Sequence, residues 1–285
     1  MTSLRFTKGH GTGNDFVILT DPDARLDLGP DLVRWLCDRH RGIGGDGVLR
    51  VVRAERVPEW SGRGDVWFMD YRNADGSVAQ MCGNGLRVFA RHLATEGLIE
   101  GESADVATRA GLKHVDLLDD GRVRADLGPV RVRGDEALVR LDGATWTATP
   151  VDVGNPHAVV VCADEDELTG LDLGHEPGWD PAEAFPEGVN VEFVVLGEGP
   201  RARMRVHERG VGETLSCGTG TVAVAAALAA RTGLEGPWTV EVPGGVVEVD
   251  LGPVGPHGRP AGLVGPAELV ASGTARPPLD LLPVA

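Results

Sequence analysis

The pattern Cys-Gly-x-Gly occurs twice in this chain, and each copy opens an apolar run of helical length. The first copy is Cys82-Gly83-Asn84-Gly85 and the second is Cys217-Gly218-Thr219-Gly220. The cysteines are 135 positions apart (217 − 82), and at this offset the glycines and several later alanine and leucine positions coincide. The repeat predicts a duplicated chain in which each half carries one cysteine at the start of a helix.

A helix start changes the chemistry of a thiol. The first backbone N–H groups of a helix have no partner within it, and the helix dipole adds partial positive charge, so an anion is stabilised there. We therefore expect each thiol to have a lowered pKa and to serve as a base. A free cysteine is more commonly a buried, inert thiol. The repetition of one arrangement in both halves favours a functional interpretation.

Two thiols that face one pocket would suit the inversion of a carbon centre. One thiolate removes a proton from one face, and the opposite thiol delivers a proton to the other face. The same backbone N–H groups are suited to bind a substrate carboxylate and the charge that builds on it. The duplication thus points to proton transfer on a small carboxylate-bearing substrate.

Composition excludes several other classes of protein. The net charge of −16 argues against nucleic acid as a partner, because phosphate binding depends on clustered Lys and Arg. The sequence has no apolar run long enough for a membrane span and no apolar signal region at its start, so we expect a cytoplasmic protein. Four cysteines without a C-x-x-C pair predict free thiols and no metal site.

Short alternating runs bounded by Gly, Pro and Asp predict strands. These runs are Phe16–Thr20, Val48–Val52, Val66–Met69, Val123–Leu127, Ala158–Cys162, Val189–Val195, Ala202–Val206, Trp238–Val242 and Val246–Leu251. Helices are predicted at Pro30–Arg39, Asn84–Thr95 and Thr219–Arg231. The acidic, Gly- and Pro-rich segment Glu165–Ala184 is expected to be an exposed loop, and Cys162 to lie in the core.

The run from Thr221 to Ala230 is apolar on all sides, which is typical of a helix that is buried all round. With many strands nearby, it predicts a sheet wrapped around a central helix, once in each half. We place the halves at residues 1–118 and 119–264, with C-terminal strands at about 265–285 returning to the first half.

Polar residues near the cysteines are candidates for substrate contacts. Glu208 and Arg209 precede Cys217 by a short loop, and Asn73 occupies the position equivalent to Glu208 at the offset of 135. An arginine binds a carboxylate bidentately, and a glutamate holds an ammonium group. The bland alternatives are a surface ion pair for Glu208 and Arg209 and an Asx turn for Asn73. Asn14, Asn155 and Asn190 share the turn alternative, and a structural role is the usual one for a lone histidine such as His157.

Residues Gly42-Ile43-Gly44-Gly45-Asp46-Gly47 match G-x-G-x-x-G, which occurs in dinucleotide-binding sites. That motif needs a strand before it and a helix after it. Here the predicted helix precedes the glycines and a strand follows them. We interpret the segment as a glycine-rich turn.

Taken together, these motifs resemble those of the diaminopimelate epimerase family. The matching stretches, in the family's order, are Lys8–Val17, Gly42–Gly47, Asn73–Ser77, Met81–Gly85, Gly154–His157, Glu208–Thr214 and Cys217–Gly220. The resemblance implies two pseudo-symmetric α/β (α+β) domains, each a curled, mostly antiparallel sheet around a central buried helix. It also implies interconversion of LL- and meso-2,6-diaminopimelate for lysine and peptidoglycan synthesis, without pyridoxal phosphate or metal, by a homodimer.

The resemblance also assigns roles to residues. Cys82 and Cys217 would be the acid–base pair, and Gly83, Asn84, Gly218 and Thr219 would cradle the reacting carboxylate through their backbone N–H groups. His157 and Glu208 would tune the thiols. The implied substrate contacts are Asn14, Asn73, Asn155, Asn190, Glu208 and Arg209.

The sequence departs from the family pattern at two positions. The family usually has a larger residue at the position of Gly9, and some members have a substrate-contacting Gln in the region of Gly47. Two alternative functions stay open. One is a related two-base proline or hydroxyproline racemase, and the other is an amino-acid-binding module with inert thiols.

Overall fold

The computed structural model describes residues 3–278 and residue 281. Its helices are α1 (Pro30–Cys37), α2 (Gly83–Thr95), α3 (Glu165–Gly170) and α4 (Gly218–Thr232), with 3₁₀ turns at Ala54–Arg56 and Ala182–Ala184. The strands, numbered along the chain, are β1 (Leu4–Gly11), β2 (Asn14–Thr20), β3 (Gly47–Arg53), β4 (Trp67–Asn73), β5 (Ser103–Thr108), β6 (Gly111–Leu117), β7 (Val123–Val132), β8 (Ala137–Leu141), β9 (Ala144–Asp152), β10 (Pro156–Val161), β11 (Gly178–Asp180), β12 (Asn190–Leu196), β13 (Arg201–Glu208), β14 (Gly212–Thr214), β15 (Trp238–Val242), β16 (Gly245–Leu251), β17 (Arg259–Gly265) and β18 (Glu268–Ala275).

The chain divides into two compact units. Unit 1 comprises Met1–Ala125 with Pro266–Ala285, and unit 2 comprises Asp126–Gly265. The division after Ala125 falls within β7. Strand β18 is therefore part of unit 1, where it pairs antiparallel with β1. The rest of the predicted C-terminal segment includes 279–280 and 282–285, which lie outside the described residues.

Unit 1 is a sheet in which antiparallel and parallel neighbours alternate. From β1 to β6 in chain order, the successive pairings are antiparallel, parallel, antiparallel, parallel and antiparallel. A parallel pair needs a crossover connection, usually a helix. Accordingly, α1 connects the parallel strands β2 and β3, and α2 connects the parallel strands β4 and β5.

Unit 2 repeats this order. Strands β9, β10, β12, β13, β15 and β16 pair successively as antiparallel, parallel, antiparallel, parallel and antiparallel neighbours. Helix α3 lies in the β10–β12 crossover, and α4 lies in the β13–β15 crossover. The two units therefore share one topology, and the prediction of a duplicated, mostly antiparallel fold is confirmed.

Each unit is built around one buried helix. In unit 1, α2 contacts β1, β2, β3, β4, β6 and β18; in unit 2, α4 contacts β9, β10, β12, β15, β16 and β17. Every α4 residue from Gly220 to Ala229 is buried, as its all-apolar sequence predicts. The helix ends at Gly233, whose φ of +71° is the left-handed conformation that glycine adopts at helix ends.

The three predicted helices are confirmed within two residues at each end, and each predicted strand overlaps an observed one. Cys162 is buried in the core of unit 2, as predicted. The prediction of a loop over Glu165–Ala184 is wrong, because this segment contains α3, β11 and a 3₁₀ turn. Asp164 caps α3 by accepting a hydrogen bond from Glu167 N, and Leu168 anchors the helix in the core.

The absence of a side chain at Gly9 has a physical reason. Gly9 lies at a bulge where the β1–β18 register shifts after Lys8. A Cβ atom there would come within 2.7 Å of Glu268 O and 2.9 Å of Leu269 Cδ2. A residue larger than glycine at this position would need a different β18 backbone.

None of the helices within the described residues is long and apolar enough to cross a membrane.

Candidate functional site

The two cysteines have equivalent positions at the starts of α2 and α4. Each is the extended residue that caps its helix, with φ and ψ of −141° and 124° at Cys82 and −118° and 113° at Cys217. Each Sγ accepts a hydrogen bond of 3.4 Å, from Gly85 N in unit 1 and from Gly220 N in unit 2. We call Cys82–Gly85 the first helix start and Cys217–Gly220 the second helix start.

Two asparagines gather around the first helix start. The Sγ atom of Cys82 lies 3.6 Å from Oδ1 of Asn14, which also accepts a 3.3 Å hydrogen bond from Nδ2 of Asn84. The Nδ2 atom of Asn14 donates to Asp46 at 2.8 Å. The structure thus brings Asn14 and Asn84, both predicted site residues, to the Cys82 thiol.

A network of ion pairs fixes the position of Asp46, the residue to which Asn14 donates. Arg39 donates two hydrogen bonds to the Asp15 carboxylate and one to Asp46, and Lys8 donates to Asp15 and to the Gly44 carbonyl. Burial raises the pKa of Asp15, but the hydrogen bonds from Arg39 and Lys8 outweigh it, so the pKa lies well below the usual range. The glycine-rich turn therefore positions Asn14 through Asp46, and its interpretation as a turn that precedes strand β3 is confirmed.

Asn73 ends β4, directly opposite Gly47 in the β3–β4 pair. Its Nδ2 donates to Ser77 Oγ at 3.0 Å. The Asx turn of this segment is made by Asp75, whose Oδ1 accepts from Ser77 N at 2.8 Å, rather than by Asn73. At Gly47 a Cβ atom would lie 2.5 Å from Arg72 O and 2.6 Å from Tyr71 Cε2. The backbone at this position therefore has no space for a side chain.

A chain of hydrogen-bonding side chains leads to the second helix start. Thr219 Oγ1 lies 3.5 Å from Cys217 Sγ and accepts a 3.4 Å hydrogen bond from Asn155 Nδ2. Oδ1 of Asn155 lies 3.1 Å from His157 Nε2. The predicted residues Asn155, His157 and Thr219 are therefore joined to Cys217 in one connected series.

The series ends at Glu192, a residue that the sequence analysis missed. Its Oε1 lies 2.7 Å from His157 Nδ1, and both side chains are fully buried. Burial raises the pKa of Glu192, although the neighbouring His157 opposes that rise. A carboxylate in the otherwise apolar run Val191–Val195 was the available sequence signal.

The Cys217 thiol departs from the expectation for a helix start. Its pKa is raised well above the usual value, first by burial and then by the negative charges of Glu208 and Glu192. The hydrogen bonds from Thr219 and Gly220 favour the thiolate but do not outweigh these effects. The predicted lowering of the pKa is therefore wrong for Cys217, because burial of the thiol, and after it the charges of Glu208 and Glu192, outweigh the effect of the helix start.

Glu208 and Arg209 follow one another at the end of β13. Glu208 accepts a hydrogen bond from Thr214 Oγ1. Arg209 donates through its backbone N to Asn190 Oδ1 at 3.0 Å and through Nη1 to the Glu187 carbonyl at 2.9 Å. Nδ2 of Asn190 donates to the Pro156 carbonyl at 3.1 Å, so Asn190 joins the starts of β10 and β12 to the turn at Arg209.

A second missed residue is Arg87, which lies in α2 and is fully buried. Its Nη2 donates to Thr12 Oγ1 at 2.8 Å and its Nε to the Pro266 carbonyl at 3.4 Å. Burial lowers the pKa of Arg87 to about 10, while attraction to Cys82 opposes this change. An arginine within the buried face of a helix, five residues after Cys82, was the sequence signal.

The two remaining thiols lie in apolar surroundings. Burial raises the pKa of Cys37 to about 12 and that of Cys162 to about 11. Neither residue caps a helix. Of the four thiols, only those of Cys82 and Cys217 cap a helix.

Comparison with known proteins identifies the family. The diaminopimelate epimerase family model matches residues 6–133 and 149–270, which include both helix starts. The chain belongs to the diaminopimelate epimerase family.

Relatives in that family cover nearly the whole chain. The diaminopimelate epimerase of Streptomyces coelicolor is 49% identical over 95% of this chain and 95% of its own length. That of Corynebacterium glutamicum strain ATCC 13032 is 48% identical over 95% of this chain and 98% of its own. That of Thermobifida fusca is 49% identical over 96% and 98%.

Solved structures show that the fold extends beyond the diaminopimelate epimerase family. A phenazine biosynthesis protein of the PhzF family from Bacillus anthracis matches with a TM-score of 0.71 at 15% identity, over 96% of this chain and 99% of that one. A probable proline racemase from Agrobacterium radiobacter K84 matches with a TM-score of 0.69 at 18% identity, over 97% and 93%. At such identities the likeness is one of fold, and the family match separates this chain from the racemases.

Proposed function

We propose that this protein interconverts LL- and meso-2,6-diaminopimelate, a step toward lysine and peptidoglycan precursors. The observation that carries the proposal is the family match across both units, each with a cysteine at its central helix start. Relatives named diaminopimelate epimerase, 48–49% identical over 95–96% of this chain, support the same reaction.

Cys82 and Cys217 act as the two acid–base groups. One thiolate takes the α-proton and becomes a thiol, and the electron pair left on carbon delocalises into the α-carboxylate. The other thiol gives its proton to the opposite face of that carbon and becomes a thiolate. The reaction consumes one thiolate and forms one, so it balances without an added oxidant, reductant or cofactor.

The helix starts supply the electrostatic stabilisation that such a carbanion needs. The backbone N–H groups of Gly83, Asn84, Gly218 and Thr219 hold the carboxylate, where the positive ends of the helices offset its growing charge. Asn14, Asn73, Asn155, Asn190, Glu208 and Arg209 contact the remaining polar groups of the substrate. The closeness of Asn14 to Cys82 and of Asn155 to Thr219 supports this assignment.

The test is epimerisation in D₂O. Purified protein is incubated with LL-diaminopimelate, and deuterium at the α-carbon and formation of the meso isomer are followed by mass spectrometry and chiral chromatography. We expect both in the native protein. Cys82→Ala and Cys217→Ala should each lower turnover by at least about a thousandfold, because each removes one of two required proton-transfer groups.

Cys162→Ala is the matched control, since this thiol lies in the core of unit 2 and caps no helix, and its turnover should be unchanged. L-Proline and trans-4-hydroxy-L-proline serve as control substrates and should not be racemised. Turnover of proline in place of diaminopimelate would replace the proposal with a racemase. Undiminished turnover in either helix-start variant would refute the two-thiol mechanism.

The homodimer and the cytoplasmic location are part of the same proposal. Light scattering coupled to size exclusion should give a mass near twice the 30.0 kDa of the chain. A mass equal to that of one chain would exclude a stable homodimer.

A further inference from the structure

The two helix starts share their backbone but differ in the residues buried beside them. Each is flanked by a parallel strand pair, β2–β3 in unit 1 and β10–β12 in unit 2. In these pairs Phe16 lies opposite Gly47, and His157 lies opposite Asn190. Phe16 and His157 each lie two residues after an asparagine, Asn14 or Asn155, so they are equivalent positions.

The register then makes Leu49 and Glu192 equivalent, because each lies two residues after the partner position. The last glycine of each helix start confirms this equivalence. A Cβ atom on Gly85 would have Leu49 Cδ2 at 3.3 Å and Phe16 Cζ at 3.4 Å as neighbours, whereas one on Gly220 would meet Glu192 Oε1 at 2.5 Å. Unit 1 therefore places two apolar side chains where unit 2 places a carboxylate and an imidazole.

The Glu192 carboxylate is held in place without being neutralised by a fixed cation. Oε1 is bound to His157, and Oε2 has no hydrogen-bond partner among the described residues. Because Asn155 Oδ1 accepts from His157 Nε2, a single proton on the Nδ1–Oε1 contact decides whether the pair is ionic or neutral. Either form is neutral overall, so the effect on Cys217 comes from the position of the Glu192 carboxylate, which lies against Gly220 of the second helix start. The negative charges of ionised Glu192 and of Glu208 on β13 both oppose the Cys217 thiolate.

In unit 1 the buried charge in the helix that begins at Cys82 is positive, in contrast to the Glu192 carboxylate of unit 2. The guanidinium of Arg87 is fully buried, its described hydrogen-bond partners are the neutral oxygens of Thr12 and Pro266, and its Nη1 has no partner among the described residues. At the offset of 135 the equivalent position in α4 is Val222, so unit 2 has no counterpart. The charged groups that support Asn14 next to Cys82, namely Lys8, Asp15, Arg39 and Asp46, are paired with one another.

We propose that this difference fixes the resting protonation of the enzyme, with Cys82 as the thiolate beside Arg87 and Cys217 as the thiol beside Glu192. Glu192 and Arg87 are positioning residues, because they act on the thiols through charge and through His157, Asn155 and Thr219. The inference rests on the proposed function, in which these two thiols exchange protons with substrate. A turnover that begins at Cys82 leaves both sulfurs in the opposite states, and exchange of one proton with solvent restores the resting form.

The test measures the thiolate of each cysteine separately. The intact protein is alkylated with iodoacetamide at a series of pH values, and rate constants for the Cys82 and Cys217 peptides are obtained by mass spectrometry. Poor access slows alkylation at every pH by the same factor, whereas the midpoint of the rate–pH curve reports the thiol's ionisation. We expect the Cys82 midpoint to lie at least about one pH unit below that of Cys217.

Glu192→Gln keeps the shape of the side chain and its acceptor for His157 but removes the charge. It should move the Cys217 midpoint to lower pH and raise the alkylation rate of Cys217 at pH 7, by about tenfold for every pH unit that the midpoint falls, with Cys82 unchanged. Glu213→Gln is the matched control, because this carboxylate is exposed and paired with Arg205 on the surface, and it should leave both midpoints in place.

Arg87→Gln should move the Cys82 midpoint to higher pH, and Arg87→Lys, which keeps a positive charge, should restore it. A native Cys217 midpoint at or below that of Cys82 would overturn the proposal, and so would a Cys217 midpoint that Glu192→Gln does not move. The native measurement alone decides the order if a variant fails to fold. Either failure leaves the two-thiol epimerase intact, because that function is judged by turnover of the cysteine variants.

Discussion

At position 220 the absence of a side chain is what admits a carboxylate to the second helix start. A Cβ atom on Gly220 would lie 2.5 Å from Glu192 Oε1, which His157 already holds at 2.7 Å. A Cβ atom on Gly85 in unit 1 would instead lie 3.3 Å from Leu49 Cδ2 and 3.4 Å from Cys82 Cβ and Phe16 Cζ. The two glycines of one motif thus leave room for different neighbours, a buried carboxylate at Gly220 and closely packed side chains at Gly85.

Gly220→Ala should therefore destabilise the protein more than Gly85→Ala. We expect a loss of about 1–3 kcal/mol in the free energy of unfolding for Gly220→Ala, since the new methyl group overlaps a fixed carboxylate. Gly85→Ala should change it by less than about 1 kcal/mol, because the higher helix propensity of alanine offsets a small clash. Urea unfolding of both variants measures the difference, and equal losses would contradict this account.

Single residues show how far sequence reasoning extends. The helix-start cysteines, Asn155 and His157 could be singled out because a repeated motif or a turn signal marks each of them. Glu192 and Arg87 could not, because their importance depends on which strand lies beside which helix start. A glutamate in an apolar strand has many explanations until its register with His157 is known.

At the scale of elements, α2 and α4 derive their stability from burial on several sides. Leu93 and Leu228 lie at equivalent positions of these helices, and both are fully buried. The all-apolar sequence of α4 made its location predictable. Helix α3 was missed because it is a single short acidic stretch whose one core anchor, Leu168, gives no periodic pattern.

Leu93→Ala and Leu228→Ala should each lower the free energy of unfolding by about 2–5 kcal/mol, because each leaves a cavity around a central helix. Leu234→Ala, at a side chain that is 37% exposed just beyond α4, is the control and should cost no more than about 0.5 kcal/mol. Thermal or urea unfolding measures all three. A Leu228→Ala loss as small as the control's would show that α4 is not a packing centre of unit 2.

At the scale of the whole molecule, buried carboxylates that are paired with arginines make the stability of the protein depend on pH. Asp70 on β4 accepts hydrogen bonds from Arg72 at 2.9 Å and from Arg109 at 2.8 Å, and its side chain is buried. Burial raises the pKa of Asp70, but the two arginines outweigh burial, and the pKa lies below the usual value of 3.8. The folded state therefore favours the ionised carboxyl more than the unfolded state does.

This lowered pKa predicts an acid-sensitive contribution to stability. The contribution is complete above the unfolded pKa near 3.8 and is lost as the pH falls through the lower pKa of the folded state. Asp70→Asn should lower stability at pH 7 and weaken its further decline below pH 3.8. Urea unfolding from neutral pH into the acid range tests this, with Asp119→Asn, an exposed carboxylate of the same unit, as the control. An Asp70→Asn curve parallel to the native one would refute it.

The return of β18 to pair with β1 has a consequence for biosynthesis. Unit 2 is one continuous stretch, Asp126–Gly265, so all of its strands have been translated before β18 is. Unit 1, although it starts the chain, acquires the second neighbour of its first strand only when Glu268–Ala275 has been synthesised. A nascent chain therefore carries an open β1 edge throughout most of its elongation, and the half that is begun first is the half that is completed last.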